Sequence, residues 1–399
     1  MMPTPSSVRE TRQKILEQVS VIPPRIAPLL TNHLGVVVAE DIISDVDMPG
    51  EAMSMMDGFA IKSFNSQYPK IFPIAGKSSA GDRVEKLSPD YCQQIMTGAP
   101  LPEGADCVVP VEQSKQVSGG IEISSDYAKP NKFIRQKGFE FRSGQVLVKA
   151  GTVLGPVEYG LMALVGKTAV LQHEAPCVAV ISTGSEIIEP GMKPNSTQVR
   201  NSNGPMLMAQ VCRFGAMPRF LGIAPDDVLA LRSMIHEGAS FDCMIISGGA
   251  SKGEADLVRH ALSKEGYGFI VDGVWMRPGK PFICAMNADG KLAFCLPGNP
   301  VSAFVCAELF IGAAIKKMRA IKVETEFPLK KGKMADDFAW SGDRPFFAPM
   351  RHNCQGDLHG LGIKVSADLL SISGVDSLAF LEASGHLVTG ETVDYLTVG

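Results

Sequence analysis

Two hydrophobic rhythms divide the chain. Between residues 177 and 320, short apolar runs alternate with stretches in which apolar residues recur every three to four positions. The runs "CVAVIST", "FDCMIIS" and "LAFCLP" read as strands. The stretches "GPMLMAQVCRFG", "PDDVLALRSMIHEG", "ADLVRHALSKEG" and the long "NPVSAFVCAELFIGAAIKKM" read as helices. Gly215 is expected to end the first helix, Asp226 to cap the start of the second, and Gly238 to lie beyond its end. Strand and helix in alternation predict a mostly parallel sheet with helices on both faces, a three-layer α/β domain.

The flanking segments carry other patterns. Residues 7–20 predict an amphipathic helix: Ser7 and Glu10 match a capping box, and Val8, Ile15, Leu16 and Val19 share one face. Residues 21–45 are Pro-rich and then β-branched, an extended arm. Residues 46–135 hold short β-prone runs between turns, such as "GFAIKS", "KIFPIAG" and "GGIEISS", and predict a β-rich module. Within 136–176, Gly155-Pro156 opens a helix that Gly166 closes. Residues 321–399 return to short strands, expected as a small β-barrel or sandwich. The expected organisation is α/β multidomain. An elongated linker domain of 1–45 plus 136–176 carries the module 46–135 as an insert, followed by the α/β domain 177–320 and a barrel-like domain 321–399.

Composition narrows the class. A chain of 399 residues is too long for one ordinary core, and 45% hydrophobic with 20% charged residues are globular values. A formal charge of −4 gives no electrostatic footprint for nucleic acid. Nine cysteines are present, none at C-x-x-C spacing. Cys177, Cys243, Cys284, Cys295 and Cys306 sit in apolar runs and are expected as small core residues in a reducing cytoplasm. The start "MMPTPSSVRE" lacks the apolar stretch of a signal peptide, and the run containing Glu308 is too short for a bilayer. A cytoplasmic location without membrane contact is therefore expected.

The candidate chemistry gathers at strand ends. Three α/β strands empty into small-residue turns: Ser182-Thr183-Gly184, the "SGGASKGEAD" segment with Gly248, Gly249, Ser251 and Lys252, and Pro297 to Pro300 with Asn299 between. In a parallel sheet these ends share one edge, where ligands bind. Glycines let backbone N–H groups approach an anion, and the following helix start adds free amides. Read singly, each loop has a tight packing turn as its alternative, and three such loops on one edge weaken that alternative. Glu186, Asp226 and Asp256 are, one by one, helix caps or first-turn acids. Together beside a phosphate loop they also suit Mg²⁺, which takes one or two carboxylates and substrate phosphates. Arg277 and Lys280 flank a Pro-Gly turn and suit a phosphate or oxyanion. No partnered nucleophile and no G-x-G-x-x-G are found.

These motifs resemble one family. "MDGFA" (56–60), "IMTGAPLPEGADCVV" (95–109), "STGSE" (182–186), "SGGASKGEAD" (247–256), "RPGKP" (277–281) and "PGNPVS" (297–302) are similar, in order and spacing, to the molybdopterin molybdenumtransferases. That MoeA-like group includes the C-terminal domain of gephyrin. The likeness runs from about residue 8 to the end. It implies Mg²⁺-dependent conversion of adenylylated molybdopterin and molybdate into molybdenum cofactor, with release of AMP. It also implies a homodimer whose cleft lies between the α/β domain of one chain and the β-rich module of the other.

By motif position, Asp57 and Thr97 come from the module, and Asp57, Glu186 and Asp256 would hold the metal beside Asp226. Gly248, Gly249, Ser251, Pro297 and Pro300 would shape the pocket, with Ser182, Thr183, Gly184, Lys252 and Asn299 along it. Arg277 and Lys280 would face the oxyanion. Further implied partners are the molybdopterin adenylyltransferase and the molybdoenzymes that accept the cofactor. The chain departs from the family pattern at several positions. Gly138-Phe139-Glu140 replaces Gly-Glu-Asp, leaving Glu140 as the remaining acid. Ala52 and Met53 replace polar residues, Arg277 a lysine, and Gly273 another lysine whose charge Lys252 is placed to restore. A carrier with weakened catalysis and a pterin adenylyltransferase are the alternative functions.

Overall fold

The structure, a computed structural model, describes residues 5–29, 35–248, 254–363 and 365–398. The chain divides into two compact units: Met1–Ala39 with Gly151–Gly155 and Ala169–Gly399, and Glu40–Ala150 with Pro156–Thr168.

The first unit is built on a six-stranded sheet. In chain order its elements are helix α1 (Val8–Gln18), strand β1 (Cys177–Thr183), helix α2 (Asn203–Arg213), β2 (Met217–Ala224), α3 (Val228–Gly238), β3 (Cys243–Ser247) and α4 (Glu254–Lys264). Then come β4 (Gly268–Asp272), β5 (Ile283–Met286), β6 (Leu292–Leu296), α5 (Pro300–Cys306) and α6 (Gly312–Met318). The strand order is β2-β1-β3-β6-β5-β4. The first four strands run parallel, β5 is antiparallel to β6, and β4 is antiparallel to β5 and so runs with the first four. Three strands thus join those expected from sequence. β2 and β4 were hidden because they are edge strands with half-exposed, mixed patterns rather than apolar runs.

Strand alternation explains the three layers. On β1, Val178 and Val180 face one core, and Ala179 and Ile181 face the other. On β6, Leu292, Phe294 and Leu296 face the first, and Ala293 and Cys295 the second. The first core is closed by α1, α2, α5 and α6 through residues such as Ile15, Leu207, Val305 and Ile315. The second is closed by α3 and α4 through Leu231, Ile235, Ala261 and Leu262. Phe282 sits with its ring centroid 4.7 Å from Phe310 and 6.5 Å from Phe294. Burying each such ring contributes roughly 2–3 kcal/mol. Cys243, Cys284, Cys295 and Cys306 are buried core residues as expected, while Cys177 is half-buried. Burial pushes the thiols of Cys243 and Cys295 up to about 12, so they are inert.

Local details refine the sequence expectations. Glu10 N–H donates to Ser7 Oγ at 3.2 Å, the Ser7 backbone hydrogen-bonds the Glu10 carboxyl in return, and that carboxylate also pairs with Lys14 Nζ at 2.7 Å. The long apolar helix is not uniform: Ala307–Ile311 forms a π turn between α5 and α6. There Arg12 Nη1 donates to the Leu309 carbonyl at 3.1 Å, and Gln210 Nε2 donates to the Phe304 carbonyl at 3.2 Å.

Beyond α6 lies a five-stranded antiparallel sheet, in the order Lys330–Lys333, Thr392–Thr397, Ser377–Leu381, Phe346–His352, Leu358–Gly360. Its edge strands meet at one bridge, Met334 with Leu358. Phe338–Trp340 and Gly385–Leu387 form a separate pair.

The second unit is β-rich. A four-stranded sheet takes the order Ile74–Ser78, Cys92–Ile95, Gly58–Ile61, Cys107–Pro110, and a three-stranded sheet the order Ser114–Val117, Gly120–Ile123, Lys70–Phe72. Phe59, Ile61, Phe72, Val109 and Ile121 form a shared core. The helix Pro156–Leu164 begins at the expected proline. Among the described residues no helix is long and apolar enough to cross a membrane.

Candidate active site

The ends of β1, β3 and β6 lie side by side. Ser182 pairs with Ser247, and Ser247 with Leu296, so the three small-residue turns leave the sheet at one level. The tips touch. Gly248 has φ +109, and a Cβ there would lie 2.1 Å from the Thr183 carbonyl oxygen. Only glycine fits, both for its backbone angle and for that approach. Gly248 N–H donates to the Leu296 carbonyl at 3.2 Å, and Gly184 N–H to that of Ala224 at 3.1 Å.

The acids at this edge do different things. The Glu186 carboxylate folds back over the first tip, with its oxygens 2.8 and 2.9 Å from where a Gly184 Cβ would stand. Asp226 is not the helix cap. Asp227 holds that place, its Oδ1 accepting from Ala230 N–H at 2.8 Å. Asp226 instead clasps the first tip: Ser185 N–H donates to its Oδ2 at 2.9 Å, and Asp226 N–H donates to Ser185 Oγ at 3.1 Å. The two residues are neighbours, and hydrophobic rhythm alone does not separate cap from clasp. Asp256 lies in the first turn of α4. Gly249, Ser251 and Lys252 lie outside the described residues.

Sequence reasoning missed the segment "RNSNG" (200–204). Val199 N–H donates to the Glu186 carbonyl at 2.9 Å and Asn201 N–H to that of Ile188 at 2.8 Å, which bring the segment back to the tips. Asn201 Oδ1 accepts from Ser182 Oγ at 3.1 Å and from Gly204 N–H at 2.9 Å. Asn203 Nδ2 donates to Ser247 Oγ and to the Gly298 carbonyl, both at 2.8 Å. Thr183 Oγ1, Asn201 Nδ2 and Asn203 Oδ1 are buried without a protein partner. Two asparagines around a serine, just before a helix, were the available signal. These residues, with Glu186, Gly248, Asn299 and Pro300, line a cavity of about 720 Å³.

A second cavity, of about 590 Å³, shares the wall formed by Pro281, Pro297 and Asn299. Arg277, Lys280, Ser341, Arg344 and Ser366 line it. The Arg277 guanidinium lies 4.3 Å over the Phe346 ring and donates from Nη1 to the Ser341 carbonyl, while its Nε is buried without a partner. Burial, and after it the charge of Arg344, lower the Arg277 pKa. Lys280 and Arg344 each stand 5.9 Å from the Trp275 ring. Asn299 Nδ2 donates to Ser366 Oγ at 2.8 Å. Arg344 and Ser366 were not found from sequence, because they reach the Arg277 turn only through the tertiary fold, and Trp275, two residues before Arg277, was passed over although it is local.

The second unit presents Asp57 and Thr97. Asp57 Oδ1 accepts both the backbone N–H and the hydroxyl of Thr97 at 2.7 Å. The Thr97 N–H, and then its hydroxyl, hold the exposed Asp57 carboxyl below its ordinary pKa. Glu140 pairs with Arg135 Nη1 at 2.8 Å. Among the described residues no three His, Cys, Asp or Glu side chains gather as a metal cluster. Glu186 is nonetheless one carboxylate lining the cavity of about 720 Å³, a donor that fits Mg²⁺ bound mainly through substrate phosphates and water.

Known proteins match both halves of this arrangement. Residues 6–166 match the family described as MoeA N-terminal region (domain I and II), and residues 179–317 match the family described as probable molybdopterin binding domain. A molybdopterin molybdenumtransferase of Staphylococcus aureus is 34% identical over 343 residues, covering 84% of this chain and 80% of the relative. One from Haemophilus influenzae is 32% identical over 411 residues, covering 96% of each. Among solved structures, a molybdopterin biosynthesis MoeA protein from Pyrococcus horikoshii superposes with a TM-score of 0.83 at 28% identity, over 99% of both chains.

Proposed function

The chain belongs to the molybdopterin molybdenumtransferases, enzymes of molybdenum cofactor biosynthesis, and we propose that it inserts molybdate into adenylylated molybdopterin with release of AMP. The observation that carries this reading is the pair of adjoining cavities. One is walled by strand-tip backbone, the polar side chains of Ser182, Thr183, Asn201 and Asn203, and the charged Glu186 and Arg200, and the other by Arg277, Lys280 and Arg344. The first suits a nucleotide-linked pterin, and the second suits a small dianion.

In this reading each group acts through its position. Thr183 Oγ1 and Asn201 Nδ2, buried beside the cavity without a protein partner, offer donors to the phosphoanhydride. Arg277, Lys280 and Arg344 gather the oxyanion and offset its charge as it meets the anionic substrate. Arg277 is rigid because Phe346 and the Ser341 carbonyl hold it. Glu186, with Asp57 from a second copy of the chain, would hold Mg²⁺. That ion supplies Lewis-acid polarisation of the phosphoanhydride. Asp57 is kept ionised by Thr97, as a cation ligand requires.

Incubation with adenylylated molybdopterin, Mg²⁺ and molybdate should release AMP and yield cofactor that activates an apo-molybdoenzyme. Absence of AMP release would overturn the assignment. The shared site has its own test. Asp57→Asn and Glu186→Gln variants, each inactive, should regain about a quarter of wild-type activity when unfolded and refolded together, because half of the dimers are mixed and each mixed dimer keeps one intact cleft. No recovery would place both acids in one chain's site.

A further inference from the structure

Resting on that reading of the strand tips, we propose that Asn203 is the positioning residue that sets the spacing of the second and third tips, and with it the width of the nucleotide-pterin pocket. Asn203 opens α2 and belongs to neither tip. Its Nδ2 reaches Ser247 Oγ at the end of β3 and the Gly298 carbonyl beyond β6, each at 2.8 Å. A carbonyl only accepts, so the Gly298 bond fixes which end of the amide is nitrogen. Both N–H hydrogens are then used, and Oδ1 remains as a buried acceptor without a protein partner.

The tips need such a clamp. The sheet ladder stops at Ser182, Ser247 and Leu296, and the chain beyond these residues is rich in glycine, the residue with the widest conformational freedom. Two residues before Asn203, Asn201 Oδ1 ties the first tip through Ser182 Oγ. One helix start therefore gathers all three strand ends. A misplacement of about 1 Å in such a site costs on the order of a hundredfold in rate.

Two variants separate clamping from direct contact. Asn203→Asp keeps the size and an oxygen in the Oδ1 position, but sets an acceptor against the Gly298 carbonyl. Asn203→Ala removes both functions. Calorimetric titration with AMP should show about tenfold weaker binding in both variants, the cost of losing one buried partner. For the adenylylated substrate, kcat/KM should fall mainly through a raised KM. In the ligand-free proteins, hydrogen exchange of the Gly248 amide should quicken by about tenfold or more.

Wild-type AMP affinity in both variants would overturn the proposal. So would weak binding in Asn203→Ala with wild-type binding in Asn203→Asp, since the oxygen alone would then matter. If the wild-type protein bound no AMP, the pocket assignment would fail, and the exchange rates would still decide the clamp. Should Asn203→Ala not fold, the near-isosteric Asn203→Asp carries the test.

Discussion

The strand tips of the first unit and the Asp57 turn of the second differ in how their polar atoms are spent. At the tips, Thr183, Asn201 and Asn203 each leave a buried atom without a protein partner, around a cavity where Gly248 has no room for a side chain. At Asp57, one carboxylate oxygen is fully engaged by Thr97 and the side chain stands in solvent. The first is a mould that a ligand must complete. The second is a single charge held steady for something that arrives from outside. The tips should therefore respond to changes of shape, and Asp57 to changes of charge.

The largest effect is expected where shape is tightest. Gly248→Val should destabilise the fold by about 3 kcal/mol or more, read from the denaturant midpoint, because its Cβ meets the Thr183 carbonyl at 2.1 Å. A stability near wild type would break the contrast. Asp57→Asn keeps shape and removes charge. It should cut turnover by at least about a hundredfold, above the loss typical of groups acting through another ligand, with an unchanged melting temperature.

Next come the two neighbouring acids. Asp226→Ala should raise KM about tenfold by freeing Ser185, at a stability cost of about 1 kcal/mol. Asp227→Ala should cost about 1 kcal/mol as a lost cap with unchanged KM. Equal kinetics in the two would erase the distinction between clasp and cap. The smallest effect belongs to Thr97→Val. Asp57 has a lowered pKa in the fold, so its contribution is present above the ordinary carboxylate pKa and fades as pH falls through the lowered value. Removing the Thr97 hydroxyl should move the Asp57 titration, followed by carboxyl carbon NMR, to higher pH. A titration at the wild-type position would show that the backbone N–H acts alone.

Much of this was legible because it is local. Strand runs, the Gly155-Pro156 helix start, and the turns after Thr183, Ser247 and Leu296 are written in adjacent residues. What escaped depends on contact between distant segments. Asn203 matters because Gly298 lies beside it, 95 residues away. Arg344 joins Arg277 in one cavity because the strand Phe346–His352, which it precedes, bridges to Arg277 through Phe346. Asp226 and Asp227 have the same chemistry one position apart, and only backbone direction assigns their roles. The π turn left no trace because Ala307, Leu309, Phe310 and Ile311 are all buried, which erases the polar face that marks a helical period.

That turn has a further consequence. A π turn is one inserted residue carried within an α-helix. It rotates everything downstream by roughly 100° relative to straight winding. Ile315 and Met318 fill the first core only because of that offset. Shortening Ala307–Ile311 by a single position would swing both away from the sheet, so this stretch should accept exchanged side chains far more readily than a changed length.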